Sequence, residues 1–186
     1  LIGVEKKTPA GVLMINMDSQ APNKAAVEAL TDGTIKLPDM TGNLTVKAEK
    51  TFGDSRFDFY AEDEKGNKAF IEVKGVTLED EGIASFPDAP TQRGVKHIKE
   101  LIRAVESGYN AYIVFIIQME GMKEFRPNDQ THREFGDALR EASKHGVEIL
   151  AYECEVGSDF MTVKKSVPVN IFYETKQMAD ASNIYG

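Results

Sequence analysis

Apolar residues repeat with the period of an α-helix in three stretches of this chain. The first stretch covers residues 22–30, with Asn23 as the predicted N-cap. The second begins at Thr91, stops at Gly108, and carries on one face Val95, Ile98, Leu101, Ile102 and Val105. The third stops at Gly146 and carries on one face Phe135, Ala138, Leu139 and Ala142. Each predicted helix therefore has an apolar face with which to cover a sheet.

Extended segments alternate with these helices. Three closely spaced strands with short polar turns between them predict an antiparallel meander at Leu44–Phe52, Arg56–Ala61 and Lys68–Lys74. The apolar run Ala111–Gln118 predicts a strand that is covered on both faces. Two more strands are predicted at Val147–Tyr152 and, at a sheet edge, Val169–Tyr173. The apolar positions of residues 75–90 repeat neither with the period of a helix nor with that of a strand, which favours a functional or mobile loop.

The first 21 residues predict only two short strands, Leu1–Val4 and Val12–Met17, around a turn at Lys6–Gly11. This is too little chain to form a domain alone. The sequence also begins without Met and without the basic and apolar pattern of a signal peptide. We therefore expect the chain to be the remainder of a longer protein.

Composition narrows the class of protein. With 186 residues, of which 41% are hydrophobic, the chain can bury a sizeable core, so intrinsic disorder is excluded. The longest apolar run ends at Gln118, well short of the roughly 20 residues that a membrane span needs. A single cysteine, Cys154, and only three histidines exclude an internal disulfide and a zinc-finger ligand set, which favours the cytoplasm. The net charge of −8 argues against binding a polyanion except at a local basic patch.

Two acidic residues are predicted to meet within the meander. Asp58 alternates with Phe57 and Phe59, so it is expected to point away from the face on which they pack. If the second and third strands pair around Lys65, Asp58 lies directly opposite Glu72, with Cβ atoms about 5 Å apart. Like charges at this distance are unfavourable unless something compensates them.

A divalent cation would supply that compensation. Magnesium accepts two carboxylates together with waters and a substrate phosphate, and manganese is the alternative cofactor. Lys74, on the same strand face as Glu72, could then orient a water or neutralise developing charge. The competing interpretation is a solvated, salt-bridged face that contributes about 1 kcal/mol or less. From spacing alone, this second interpretation is favoured.

Longer segments add a resemblance to a known family. They are GDSRFDF at 53–59, IEVKGVTL at 71–78, FPDAPTQRGVKH at 86–97 and REASKHGVEILAY at 140–152. Together they resemble the sugar fermentation stimulation protein A family over nearly the whole chain. The resemblance implies that residues 1–21 end an OB-like β domain and that 22–186 form a PD-(D/E)xK nuclease-like domain. It also implies DNA binding, a link to the regulation of sugar use, and a motif formed by Asp58, Glu72 and Lys74.

Other residues are further candidates for binding a phosphate or the metal. Cations in the first two turns of the second helix oppose its dipole, so they either lie on a solvated face or bind phosphate: Arg93, Lys96, His97 and Lys99. Ser55 and Arg56 either touch a phosphate beside Asp58 or cap the strand turn. Glu28 is either a third metal contact or an exposed helical residue. Gln118 is either a substrate or water ligand or a boundary residue of its strand.

We therefore predict an α/β fold, with a mixed β-sheet flanked by helices as in restriction endonucleases. Asp58 and Glu72 would bind Mg²⁺ or Mn²⁺, and Lys74 would assist phosphodiester hydrolysis in a nucleic acid, most simply DNA. The rival hypothesis is a non-enzymatic, non-specific DNA-binding regulator of sugar (maltose) metabolism that keeps the acidic cluster as a relic or a structural metal site. A sugar-responsive protein is a third hypothesis. Retention of all three residues favours chemistry, since a pure binder needs no acids facing phosphates.

Overall fold

A six-stranded mixed β-sheet organises the chain in the computed structural model, which describes residues 3–9 and 11–173. The strands are β1 (Gly3–Thr8), β2 (Gly11–Asn16), β3 (Thr45–Phe52), β4 (Ser55–Glu62), β5 (Lys68–Val76), β6 (Leu78–Asp80), β7 (Ile83–Phe86), β8 (Asn110–Ile117), β9 (Glu124–Pro127), β10 (Glu148–Val156) and β11 (Met161–Ser166). The helices are α1 (Ala21–Asp32), α2 (Gln92–Glu106) and α3 (Asp129–Lys144). The large sheet has the strand order β11-β10-β8-β5-β4-β3.

The centre of this sheet is parallel and its margins are antiparallel. Strands β5, β8 and β10 run parallel to one another, whereas β3, β4 and β11 are added in the antiparallel sense. Parallel neighbours need a crossover connection, and α2 and α3 lie in the two crossovers. The predicted α/β class and the predicted meander are both confirmed.

The helices cover the two faces of the sheet. The core on one face includes α2 and α3, and the core on the other face includes α1. Strand β8 contributes to both, because alternate residues of 111–117 belong to opposite clusters and each is at most 1% exposed. Burial of such a side chain contributes about 1.5–3 kcal/mol, so this strand is the centre of the fold, as its continuous apolar run predicts.

The start of α1 differs from the prediction. The helix begins at Ala21 after Gln20 as N-cap, with Pro22 in its first turn, where the missing proline N–H costs no hydrogen bond. The prediction of Asn23 as the N-cap is therefore wrong. Because Asn23 lies inside the first turn, its side chain does not cap the helix and can contact another element.

The segment 75–90 is not a loop. Strand β5 continues to Val76, and β6 and β7 form an antiparallel hairpin that joins β9 in a second, three-stranded sheet. The prediction missed β6, β7 and β9 because strands of three or four residues are too short to display a period of two.

The predicted edge strand Val169–Tyr173 is also wrong. Val169 makes only an isolated bridge to Phe125, and the edge of the large sheet is β11, which the sequence pattern did not reveal. Only Met161 and Val163 of β11 are buried, and three polar residues follow them, so the alternation is too short to stand out.

The N-terminal residues form two strands around a turn, as predicted, but the first strand extends to Thr8 and the second begins at Gly11. Strands β1 and β2 pair in the antiparallel sense, and the backbone N–H of Asn16 donates to the carbonyl of Gln118 at 3.0 Å. Leu1, at the start of the predicted first strand, and residues 174–186 of the predicted main domain lie outside the described residues. Among the described residues, no helix is long and apolar enough to cross a lipid bilayer.

Candidate active site

The candidate site lies where β4 and β5 separate. The two strands pair from Phe59 opposite Ile71 to Glu62 opposite Lys68, which is the register predicted around Lys65. The backbone ladder ends before it reaches Asp58 and Glu72. At this point the Asp58 Oδ2 atom accepts the N–H of Val73 at 2.7 Å, so a carboxylate replaces a backbone acceptor.

The pairing of β3 with β4 is interrupted at Asp58. Glu49 has φ of 54°, in the left-handed region, and the pairing passes from Ala48–Phe59 to Lys50–Phe57 without a pair between them. Phe57 packs in the core that includes α2, and Phe59 packs in the core that includes α1. The expectation that both phenylalanines share one face is wrong.

Asp58 is held from two sides. Its Oδ1 atom accepts the side-chain N–H of Asn23 on α1 at 2.9 Å, in addition to the Val73 contact. Burial, and then the negative charge of Glu72, raise the pKa of Asp58 above its usual value, against the two hydrogen bonds and the charge of Lys74. Asp58 is therefore close enough to Glu72 for the charge of Glu72 to oppose its ionisation.

Glu72 is almost completely buried, with 3% of its side chain exposed. Its Oε1 atom contacts both His97 Nδ1 and Lys74 Nζ at 2.6 Å. Burial opposes ionisation most strongly, but the His97 hydrogen bond and the Lys74 charge outweigh it and lower the pKa of Glu72. The Oε2 atom is buried and has no hydrogen-bond partner among the described residues.

His97 lies apart from the lysine and arginine side chains of α2. Its side chain is 8% exposed and packs edge-on against the Phe57 ring, with centroids 6.0 Å apart. The helical pattern could have revealed this, because His97 precedes the buried Leu101 by four residues and so lies on the same helix face. The structure thus places His97 beside an acid, not on the solvated surface.

The remaining cations of α2 are exposed. The Lys96 ammonium donates to the backbone carbonyl of Asp54 in the β3–β4 turn at 3.0 Å. The Lys99 ammonium lies 3.9 Å from the Glu134 carboxylate of α3. The Arg93 Nε atom lies 3.5 Å from His97 Nε2, one turn further along the helix.

The other predicted site residues are dispersed. Ser55 is buried and its hydroxyl has no hydrogen-bond partner among the described residues, whereas Arg56 is exposed and forms an ion pair with Glu49 at 3.0 Å. Gln118 is buried, and its side-chain N–H donates to the backbone carbonyl of Asn16 at 2.8 Å. Glu28 is exposed on α1.

The donor set fits a hard divalent cation with few protein ligands. In the described part of the chain, no group of three or more His, Cys, Asp or Glu side chains has a metal-binding arrangement. A pair of carboxylates, one with a free buried oxygen, suits a cation that keeps several waters, as Mg²⁺ does. A cation would also offset the repulsion that raises the pKa of Asp58.

Comparisons with known proteins agree with this architecture. Residues 20–160 match the family described as "Sugar fermentation stimulation protein RE domain". A sugar fermentation stimulation protein homolog from Clostridium acetobutylicum is 49% identical over 169 residues, which cover 91% of this chain and 71% of the relative. A homolog from Desulfitobacterium hafniense strain Y51 is 54% identical over 170 residues, which cover 88% of this chain and 70% of the relative. The solved structure of Pyrococcus furiosus SfsA in complex with Ca²⁺ superposes with a TM-score of 0.77 at 27% identity, covering 90% of this chain and 77% of that one.

Proposed function

The chain belongs to the sugar fermentation stimulation protein family, and we propose that it binds DNA and hydrolyses its phosphodiester bonds with a divalent cation held by Asp58 and Glu72. The observation that carries this proposal is the Glu72 Oε2 atom, a buried carboxylate oxygen without a partner among the described residues. Leaving such an atom unpaired costs free energy, so its retention favours a ligand that binds there.

The chemistry of the cation supports hydrolysis. When bound, Mg²⁺ or Mn²⁺ would polarise a phosphoryl oxygen and lower the pKa of a bound water. The related protein of Pyrococcus furiosus has been solved with Ca²⁺, which prefers oxygen ligands as Mg²⁺ does. That complex supports a cation as ligand within this family.

Lys74 is suited to act on the phosphate. Its ammonium group contacts Glu72 Oε1, and 19% of the side chain remains exposed, so it faces both the carboxylates and the solvent. A cation in this position would stabilise the negative charge that develops in the transition state.

The exposed cations of α2 would hold the nucleic-acid backbone. Arg93, Lys96 and Lys99 lie on the same helix as His97, which contacts the site. In a chain of net charge −8, such a local group of cations is the kind of surface that can attract a polyanion.

The test is cleavage of single- and double-stranded DNA and RNA by the protein across Mg²⁺ and Mn²⁺ concentrations, with Asp58→Asn as the matched control. We expect metal-dependent cleavage of DNA by the wild type and none by the variant. Wild-type protein that binds DNA but never cleaves it with any divalent cation would overturn the enzymatic proposal. That result would favour the non-enzymatic regulator of sugar metabolism.

A further inference from the structure

Glu72 is fixed by donors from two different elements. Lys74 contacts its Oε1 atom from the same strand, and His97 contacts the same atom from α2, on the other side of the β5–α2 interface. Both donors use one oxygen, so the second oxygen has no hydrogen-bond partner within residues 3–9 and 11–173. The two contacts therefore set the rotation of the carboxylate as well as its charge.

The contacts of His97 favour one position for the ring proton. The Arg93 Nε atom, which can only donate, lies 3.5 Å from His97 Nε2. In a neutral imidazole, Nε2 then accepts and Nδ1 carries the proton. This is the tautomer that donates to Glu72 Oε1.

The geometry points to His97 as a positioning residue for the cation site: its Nδ1–H holds Glu72 so that the Oε2 atom is presented to the cation. This inference rests on the proposed function, because it takes Glu72 as a metal ligand. It adds a role for a residue that would not itself touch the cation or the substrate.

His97 is better suited to this task than Lys74 alone. Lys74 has a flexible side chain whose ammonium rotates freely. The imidazole of His97 is buried and packed against Phe57, and α2 is anchored in the core through residues such as Leu101. A rigid donor in a buried position preorganises a ligand, and loss of such a contact typically weakens metal binding about 10- to 100-fold.

Three substitutions separate positioning from packing. In His97→Asn the side-chain N–H takes the place of Nδ1, whereas in His97→Gln it takes the place of Nε2, and His97→Leu has no donor. We expect Mn²⁺ affinity of the protein, measured by electron paramagnetic resonance of free Mn²⁺, to fall about tenfold or more in His97→Gln and His97→Leu. In His97→Asn we expect an affinity within about threefold of the wild type, because the donor to Glu72 is kept.

The matched control is His145→Leu, at the exposed end of α3, which should bind Mn²⁺ as the wild type does. Equal affinities of the Asn and Gln variants would overturn the inference, and this comparison of two polar variants holds even if His97→Leu fails to fold. Wild-type protein that binds no Mn²⁺ would overturn the proposed function itself and the inference with it. Wild-type binding together with undiminished binding by His97→Gln would overturn only the positioning role.

Discussion

At the residue scale, Asp58 and Glu72 are neighbouring carboxylates whose pKa values move in opposite directions. Burial and the charge of Glu72 raise the pKa of Asp58, and its two hydrogen-bond donors are neutral amides. Glu72 is more deeply buried, but it has an imidazole and an ammonium as partners. Folding therefore makes Asp58 easier to protonate than it is in the unfolded chain, and makes Glu72 harder to protonate.

Asp58→Asn should stabilise the metal-free protein at neutral pH. Because folding raises the pKa of Asp58, ionisation above its unfolded value of 3.8 costs stability as the pH rises through the folded value. An asparagine can still accept from Val73, and the Asn23 amide can turn to accept from the new amide. We expect a gain of about 1 kcal/mol at neutral pH that disappears toward acid pH.

Denaturant unfolding with a chelator present, at several pH values, measures this difference. A variant that is less stable than the wild type at neutral pH would contradict the proposed repulsion.

Glu72→Gln should have the opposite effect. Folding lowers the pKa of Glu72, so its ionised form stabilises the protein above the unfolded value of 4.5, and this is lost as the pH falls through the folded value. Loss of the charged hydrogen bonds to His97 and Lys74 should destabilise the protein by about 2 kcal/mol at neutral pH. Denaturant unfolding at several pH values measures this loss of stability, which should become smaller at acid pH. A penalty independent of pH would argue for packing as its cause.

Lys74→Ala tests the proposed chemistry directly. If the ammonium acts mainly on the transition state, cleavage should fall by on the order of a hundredfold or more while DNA affinity changes little. Cleavage rates and binding curves on the same preparations provide the measurement. Parallel losses in both quantities would instead identify Lys74 as a binding residue.

The strand register that brings the two acidic residues close could be predicted from the sequence, but the hydrogen-bond partners of those residues could not. A turn of odd length around Lys65 fixes the register of β4 and β5, and this is local information. The contacts of Asn23 with Asp58 and of His97 with Glu72 join residues from different elements, which no local period encodes. The free oxygen of Glu72 follows only from those contacts.

At the scale of elements, length decides what the sequence pattern reveals. Helices α2 and α3 and strand β8 were predictable because each repeats its period several times and ends at a glycine or a polar residue. Strands β6, β7 and β9 have three or four residues each, and their pairing depends on distant partners. The start of α1 was misassigned because Asn23, a residue type typical of an N-cap, lies inside the first turn and donates to Asp58 instead.

The exposed face of α2 should carry the electrostatic part of nucleic-acid binding. Changing Arg93, Lys96 and Lys99 one at a time to Ala should weaken DNA binding and reduce the salt slope by about one per lost phosphate contact. The matched control is Lys144→Ala, which removes an exposed cation from the last turn of α3. Binding isotherms at several salt concentrations measure the slope, and an unchanged slope would assign the α2 cations to a merely solvated surface.

At the scale of the whole molecule, the site connects both faces of the sheet. Asn23 reaches Asp58 from α1 on one face, and His97 reaches Glu72 from α2 on the other. Asp58 and Glu72 lie on adjacent strands of the sheet between these helices. A cation held by the two carboxylates would therefore favour the assembled arrangement of both helices over the unfolded chain.

Mn²⁺ should consequently raise the Tm of the whole protein. A ligand that binds only the folded state at a concentration of 100 times its Kd stabilises it by about 2.7 kcal/mol. This gain corresponds to a rise in Tm of roughly 5 to 10 °C for a chain of this size. Asp58→Asn should lose most of the rise because it changes a proposed ligand of the cation. Asp159→Asn, a matched change at an exposed position in the β10–β11 turn, should retain the rise in Tm.

Thermal melts followed by circular dichroism, with and without Mn²⁺, measure the shift in Tm. An equal rise in the wild type and in Asp58→Asn would place the bound cation elsewhere on the protein.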